Sequence, residues 1–316
     1  MNKKFLVTGG FGLLGVSLVN LLLKKKYKVV ILDYKYKRKH FFKKNKNLII
    51  IKGNFTNKKT VEKILLKNKF QCIFHLGAQT QVLKGLKNPY NTYKVNVIGT
   101  LNFLETLRNK NLQIPFIYSS SDKAYGELEK KFYLETDKLN ANYPYDTSKS
   151  SSDLICQSYS KTYKLKVGII RSANIFGGYD LNLNRIFPDT ILSILKNKQL
   201  IIRSSGKQKR DYIYVEDVSN AYYSLYKYLI KSSNNLKVYN IGSKYNLTTL
   251  QIVKKIYQIM KKPENFVIKN YSKAEIQNQR LNYNKIKREL KWKPKFNLKL
   301  SIIKTINWYK NNLNKL

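Results

Sequence analysis

Val7-Thr8-Gly9-Gly10-Phe11-Gly12-Leu13-Leu14-Gly15 decides the fold of this chain. An apolar run, Phe5-Leu6-Val7, leads into it, and the pattern Leu13–Lys25 that follows repeats its apolar residues at helical spacing. Glycines at 9, 12 and 15 permit a tight turn, close backbone approach to a ligand and close helix–sheet packing. The first amides of the helix lack intrahelical partners and sit at the positive end of its dipole, which suits a pyrophosphate. The backbone of Gly9, Gly12, Leu13, Leu14 and Gly15 is expected to hold it. Asp33 ends the next apolar run, Lys28–Asp33, 18 residues beyond Gly15. A carboxylate there accepts hydrogen bonds from two ribose hydroxyls and repels a 2′-phosphate, which favours NAD. Lys35, Lys37 and Arg38 beside it leave NADP as the alternative.

Outward from this turn, short apolar runs alternate with helical patterns. Phe5–Thr8, Lys28–Asp33, Leu48–Lys52, Cys72–Leu76 and Pro115–Ser119 read as buried strands. Leu13–Lys25, Lys58–Lys67 and Tyr90–Arg108 read as helices between them. Helix Tyr145–Tyr163 then leads to strand Lys166–Arg171. The alternation predicts an α/β fold, a Rossmann-type doubly wound parallel sheet with helices on both faces. After residue 175 helices near Arg185–Lys196, Glu216–Leu229, Thr248–Met260 and Leu298–Asn312 are separated by short strands and loops. We therefore expect residues 1–174 to form a dinucleotide-binding domain carrying the catalytic residues. Residues 175–316 would mainly form a smaller C-terminal α/β substrate lobe, with some segments returning to the first domain. Leu76, Gly77 and Ala78, at the end of the fourth strand, are small enough as a group to let a cofactor pass. His75 in that apolar run reads as a satisfied core histidine.

Chemistry concentrates between Ser119 and Lys149. Tyr145 and Lys149 lie four residues apart on one helical face, which brings an ammonium near a phenol. A hydroxyl from Ser121 would complete a set able to take a proton from an alcohol as its hydride leaves. Asp122 and Lys123 add an acid and a base that alcohol oxidation alone does not need.

The chain has 316 residues, with 61 Lys+Arg against 18 Asp+Glu, a net charge of +43. Such a charge raises the alternative of a basic nucleic-acid-binding protein with a vestigial dinucleotide fold. The basic residues run from Lys3 to Lys315 without gathering in one arm, however, as a compositional bias would leave them. Cys72 and Cys156 have no metal-ligand spacing, and His40 and His75 alone cannot hold zinc, so no metal is expected. No apolar run approaches the roughly 20 residues of a membrane span and no signal peptide is visible, which predicts a cytoplasmic protein.

With these residues in place the chain resembles the extended short-chain dehydrogenase/reductase superfamily, the nucleotide-sugar epimerases and dehydratases. The resemblance rests on Thr8–Gly15, His75-Leu-Gly-Ala-Gln79, Asn96-Val-Ile-Gly-Thr100, the Tyr145/Lys149 pair and Arg171-Ser-Ala-Asn174-Ile-Phe-Gly-Gly178. It continues through Arg210-Asp-Tyr-Ile-Tyr-Val-Glu-Asp217 to Lys285–Pro294. Ser121-Asp122-Lys123 is most similar to the CDP-glucose 4,6-dehydratases, whereas Arg210-Asp211-Tyr212 follows the broader epimerase pattern. The resemblance implies a 4,6-dehydratase with tightly bound NAD, and an epimerase acting at C4 or C2 as the alternative. It implies that Tyr145 with Lys149 removes the C4 hydroxyl proton, that Ser121 bonds the developing ketone, and that Lys123 and Asp122 serve as base at C5 and acid at the C6 hydroxyl. Asn174 and Arg210, with Arg185 as a weaker candidate, would hold the substrate pyrophosphate. Asn54 replaces the family's usual Asp near the adenine, where its carbonyl can still accept the amino hydrogen bond. A homodimer through the Tyr90–Arg108 and Tyr145–Tyr163 helices is also implied.

Overall fold

The structure, a computed structural model, describes residues 3–34, 41–271 and 276–315. Lys35, Lys37, Arg38 and His40 lie outside the described residues. The chain opens with β1 (Lys4–Thr8), α1 (Leu13–Lys24), β2 (Lys28–Asp33), β3 (Leu48–Lys52), α2 (Lys58–Leu66) and β4 (Cys72–His75). Then come α3 (Val82–Lys87), α4 (Pro89–Tyr93), α5 (Gly99–Asn109), β5 (Phe116–Ser121), α6 (Pro144–Tyr163) and β6 (Val167–Ser172). The remainder comprises β7 (Asn174–Phe176), α7 (Ile186–Leu195), β8 (Leu200–Ile202), β9 (Lys209–Tyr214), α8 (Val215–Leu229) and β10 (Leu236–Ile241). It ends with β11 (Asn246–Thr248), α9 (Thr249–Met260), β12 (Phe266–Ile268), β13 (Asn278–Gln279), α10 (Asn284–Leu290) and α11 (Leu298–Asn312).

Seven strands form one parallel sheet in the order β10-β6-β5-β4-β1-β2-β3. Its inner strands are apolar on both faces because helices cover both. Phe5 and Val7 of β1 point to one side and pack with α1 and α8. Leu6 points to the other and packs with α2 and α5. The edge strand β3 is only partly covered, and its burial alternates accordingly. The strand order reverses between β1 and β4, so their carboxyl ends diverge and open a crevice.

Two segments from beyond residue 175 return to this sheet. Strand β10 pairs in register with β6, from Leu236 opposite Val167 to Ile241 opposite Ser172. Helix α8 packs on α1, with Ser17 and Ser219 hydroxyls 3.1 Å apart. The rest forms small sheets: β9 pairs with β7, β11 and β13, and β8 with β12.

The helix expected over Tyr90–Arg108 is interrupted. Lys94–Ile98 is a widened turn with π-type hydrogen bonding, between α4 and α5. Its Asn96 carbonyl accepts the Thr100 and Ser152 hydroxyls at 2.6 and 2.9 Å, so side chains supply part of the bonding that a regular helix draws from its own amides. Strand β5 runs two residues further than expected, to Ser121, and then tightens into a 3₁₀ turn over Asp122–Tyr125.

Candidate active site

The β1–α1 turn is built for close approach. Gly9 has φ +65°, and a Cβ there would stand 2.7 Å from the Gly77 Cα. A Cβ on Gly15 would stand 2.2 Å from the Gly9 carbonyl oxygen, so no side chain is tolerated without moving backbone. Gly12 is the N-cap of α1 and provides no side-chain cap, which leaves the amides of Leu13, Leu14 and Gly15 to an anionic ligand. Asp33 is buried at the end of β2, with Oδ2 3.5 Å from the Phe11 amide. Beyond β4, the Gly77 amide donates to Thr8 Oγ1 at 3.0 Å, fixing the Leu76–Ala78 backbone beside the glycine turn. Asn54 is exposed, and its side-chain oxygen already accepts the Thr56 amide at 3.0 Å. One lone pair remains on that oxygen for a further donor. Cradle, helix terminus and acidic strand end fit an NAD-type dinucleotide.

Ser121, Asp122 and Lys123 stand at the carboxyl end of β5, facing the same crevice as α6. The Ser121 hydroxyl donates to Asp122 Oδ1 at 2.9 Å and accepts the Lys123 amide at 3.2 Å. Asp122 is buried and its second oxygen has no hydrogen-bond partner. Burial raises its pKa against the opposing pull of Lys123, Ser121 and Arg210, so the carboxyl holds a proton more tightly than an exposed aspartate.

Tyr145 and Lys149 occupy the first turns of α6, both buried. The Lys149 ammonium donates to the Ser119 carbonyl at 2.7 Å and stands 5.1 Å from the Tyr118 ring centroid. Burial lowers its pKa to about 8, with Cys156 and Asp153 opposing. Burial and the nearby Asp146 and Asp122 raise the Tyr145 pKa, while Arg185 and a Ser121 hydrogen bond lower it. Arg185 is thus a further cation acting on the phenol, besides the helical neighbour that spacing suggested. Arg185 precedes α7 and pairs with Asp180 at 3.2 Å.

The smaller sheet presents the other polar groups. Asn174 on β7 lies opposite Tyr212 of β9 and carries a buried side-chain nitrogen without a partner. Arg210 is buried on β9, and its strand neighbour β13 sets Gln279 opposite it. Arg280 follows, with a buried, unpartnered Nε and its guanidinium 4.6 Å from the Phe132 ring centroid. Sequence reasoning did not single out Arg280, because one arginine in so basic a chain carries no signal; the fold places it directly after the strand that pairs with Arg210. It also missed the buried Arg171–Asp153 pair, bonded at 2.9 Å through both guanidinium nitrogens, which joins β6 to α6. Among the described residues no group of three His, Cys, Asp or Glu could hold a metal, and no helix is long and apolar enough to cross a membrane.

Glycine cradle, acidic β2 end and Tyr145/Lys149 on one helix together define a dinucleotide-binding protein of the extended short-chain dehydrogenase/reductase class. Residues 6–305 match the family described as GDP-mannose 4,6 dehydratase, and the chain belongs to that family. It is 30% identical to a dTDP-D-glucose 4,6-dehydratase of Dictyostelium discoideum, over 99% of this chain and 82% of the relative. The UDP-glucose 4-epimerase of Thermotoga maritima, solved with UDP-glucose, superposes with a TM-score of 0.90 at 28% identity, covering 98% of this chain and 99% of that one. The dTDP-glucose 4,6-dehydratase of Bacillus anthracis, solved with NAD, gives 0.87 at 27% identity, covering 99% and 98%.

Proposed function

We propose that the protein is an NAD-dependent nucleotide-sugar 4,6-dehydratase, converting an NDP-hexose to its 4-keto-6-deoxy product. The observation that carries this reading is the buried Asp122 carboxyl, with one oxygen unpartnered and a raised pKa, beside Lys123 at the end of β5. An epimerase needs only oxidation and return at one carbon. A buried acid and an amine side by side suit elimination of water.

When bound, NAD accepts the C4 hydride and returns it to C6. Tyr145 would take the C4 hydroxyl proton as phenolate, a form that Lys149 and the positive charge of bound NAD would favour, and Ser121 turns its hydroxyl from Asp122 to the developing ketone oxygen. That ketone acidifies the C5 hydrogen, which Lys123 would remove as the neutral amine, becoming the ammonium. Asp122 protonates the departing C6 hydroxyl, and a proton returned to C5 completes the product. Each positioned acid or base contributes ~10²–10⁴ in rate. Lys149, anchored on Ser119 at 2.7 Å, would be a donor for the ribose of bound NAD. Asn174, Arg210 and Arg280 supply donors for the substrate pyrophosphate, with Arg185 turned toward Tyr145. Residues 175–316, apart from α8 and β10, then form the substrate lobe, and 1–174 with those two elements the cofactor domain.

Incubation with CDP-, dTDP-, UDP- and GDP-hexoses tests the reading. A product absorbing in the near ultraviolet in alkali, formed without added NAD turnover, is expected with one of them. Inversion at C4 or C2 with C6 unchanged would establish the epimerase reading, which the likeness to the Thermotoga enzyme favours. We further place the protein in the cytoplasm and infer a homodimer. Leu83, Tyr90, Ile98, Leu154 and Tyr163 leave an apolar strip exposed on α3 to α6. Sedimentation showing only monomer would remove the dimer.

A further inference from the structure

We propose that His75, as the neutral Nε2–H tautomer, is a positioning residue that couples the cofactor loop after β4 to the catalytic helix α6. This deepens the proposed function, and it rests on that reading only for which ligands the two ends hold. The histidine is 1% exposed and ringed by Phe55, Phe103, Phe116 and Tyr118, with ring centroids 5.0–6.2 Å away. Both of its nitrogens are nevertheless bonded, Nδ1 to Thr8 Oγ1 at 2.8 Å and Nε2 to Thr100 Oγ1 at 3.2 Å.

The tautomer follows from the partners. Thr100 has one hydroxyl proton, which goes to the Asn96 carbonyl at 2.6 Å, so Thr100 can only accept from His75. Nε2 therefore carries the ring proton and Nδ1 is an acceptor. Thr8 must then donate to Nδ1 while its oxygen takes the Gly77 amide at 3.0 Å. Every proton in the chain Gly77–Thr8–His75–Thr100–Asn96 is assigned, and all run in one direction. Burial, with Lys149 nearby, pushes the imidazole pKa down to about 3, which keeps the ring neutral.

The ends of this chain lie at the site. Thr8 immediately precedes Gly9 of the cofactor turn. At the other end the Asn96 side chain clasps both the amide and the carbonyl of Gln79, at 2.8 and 3.0 Å, and donates to Ser148 at 2.8 Å. Ser148 in turn bonds the Tyr145 carbonyl at 2.6 Å, and Ser152 bridges the Asn96 and Ser148 carbonyls. A phenylalanine would fill the aromatic cage but would strand the Thr8 proton and the Thr100 lone pair.

The test separates the two ends and uses no sugar substrate, so its failure is distinguishable from failure of the dehydratase reading. Asparagine sets an amide oxygen near the Nδ1 position and can serve Thr8; glutamine sets an amide nitrogen near Nε2 and can serve Thr100. His75→Phe is expected to weaken NAD binding to cofactor-stripped protein on the order of tenfold, the loss of one buried hydrogen bond. It should also speed amide exchange in the first turns of α6. His75→Asn should restore NAD affinity but leave α6 exchange fast, and His75→Gln should do the reverse. ¹⁵N spectra of the histidine-labelled wild type should show one ring protonated at Nε2 and invariant from about pH 5 to 8, where an ordinary histidine titrates. An Nδ1–H ring, titration in that range, or equal losses in all three variants would overturn the proposal.

Discussion

Replacing Asp153 by Leu should cost the protein several degrees of thermal stability, and replacing Arg171 as well should restore part of it. Arg171 is 2% exposed and Asp153 not at all. Two parallel bonds of 2.9 Å join them, and Arg171 also donates to the Tyr125 hydroxyl and the Glu135 carbonyl at 2.9 and 3.1 Å. Removing the carboxylate alone leaves a buried guanidinium without its counter-charge, which costs about 3–5 kcal/mol. A chain of 316 residues has an unfolding entropy of about 0.7 kcal/mol per kelvin, so the melting temperature should fall by about 5–8 °C. In the Asp153→Leu/Arg171→Met double variant no charge remains, and Tyr125 keeps its bond to Asn240 at 2.7 Å. The Glu135 carbonyl and the Tyr125 hydroxyl oxygen each lose a donor, about 2 kcal/mol together, or about 3 °C, and half-buried Gln157 loses its acceptor on Asp153 in both variants. Asp153 lies one turn beyond Lys149 on α6, and Tyr125 closes the turn that begins at Asp122, so activity should fall with the single variant. Thermal unfolding followed by far-ultraviolet circular dichroism reads both variants. A single variant within about 2 °C of wild type, or a double variant that falls as far as the single, would refute the reasoning.

Three further outcomes are expected. Asp122→Asn should slow product formation by ~10²–10⁴ while leaving C4 oxidation intact, so that the near-ultraviolet band of reduced nicotinamide accumulates on mixing with substrate; an unchanged rate would exclude Asp122 as the acid. Burial raises the Asp211 pKa to about 7 against the Ser243 bonds at 2.8 Å. The unfolded chain therefore loses this proton near pH 4 and the folded chain only near 7, so this group's contribution to stability declines as pH rises between them. Relative to wild type, Asp211→Asn should gain in urea midpoint from pH 4 to pH 7, and a flat difference would contradict the assignment. Gly15→Val would force backbone apart at the Gly9 carbonyl, and calorimetry should find NAD binding abolished, while Gly206→Ala, strained by its φ of +76° but with 3.4 Å of room for the Cβ, should lose stability and retain binding.

Much of the site was legible because its determinants are local. Tyr145 and Lys149 share a helix face by spacing alone, and Ser121-Asp122-Lys123 is contiguous. Their electrical relations were not legible. The Lys149 ammonium turns to Ser119, a residue 30 positions away, and Arg185, 40 positions beyond Tyr145, adds its charge to the phenol's surroundings. Arg280 directly follows β13, whose pairing with β9 no local pattern announces.

The sequence by itself determined the glycine turn, the acidic end of β2, the order of strands and helices in the first half, and the catalytic residue types. Each follows from apolar periodicity or from the steric needs of a turn, which act over a few residues. Tertiary structure alone decided that β10 and α8 return to the first sheet, that His75 bridges two elements, and that Asp122 is buried, which raises its pKa. Strand pairing, tautomer and pKa depend on which distant groups share a low-dielectric interior, and only the folded chain brings those groups together.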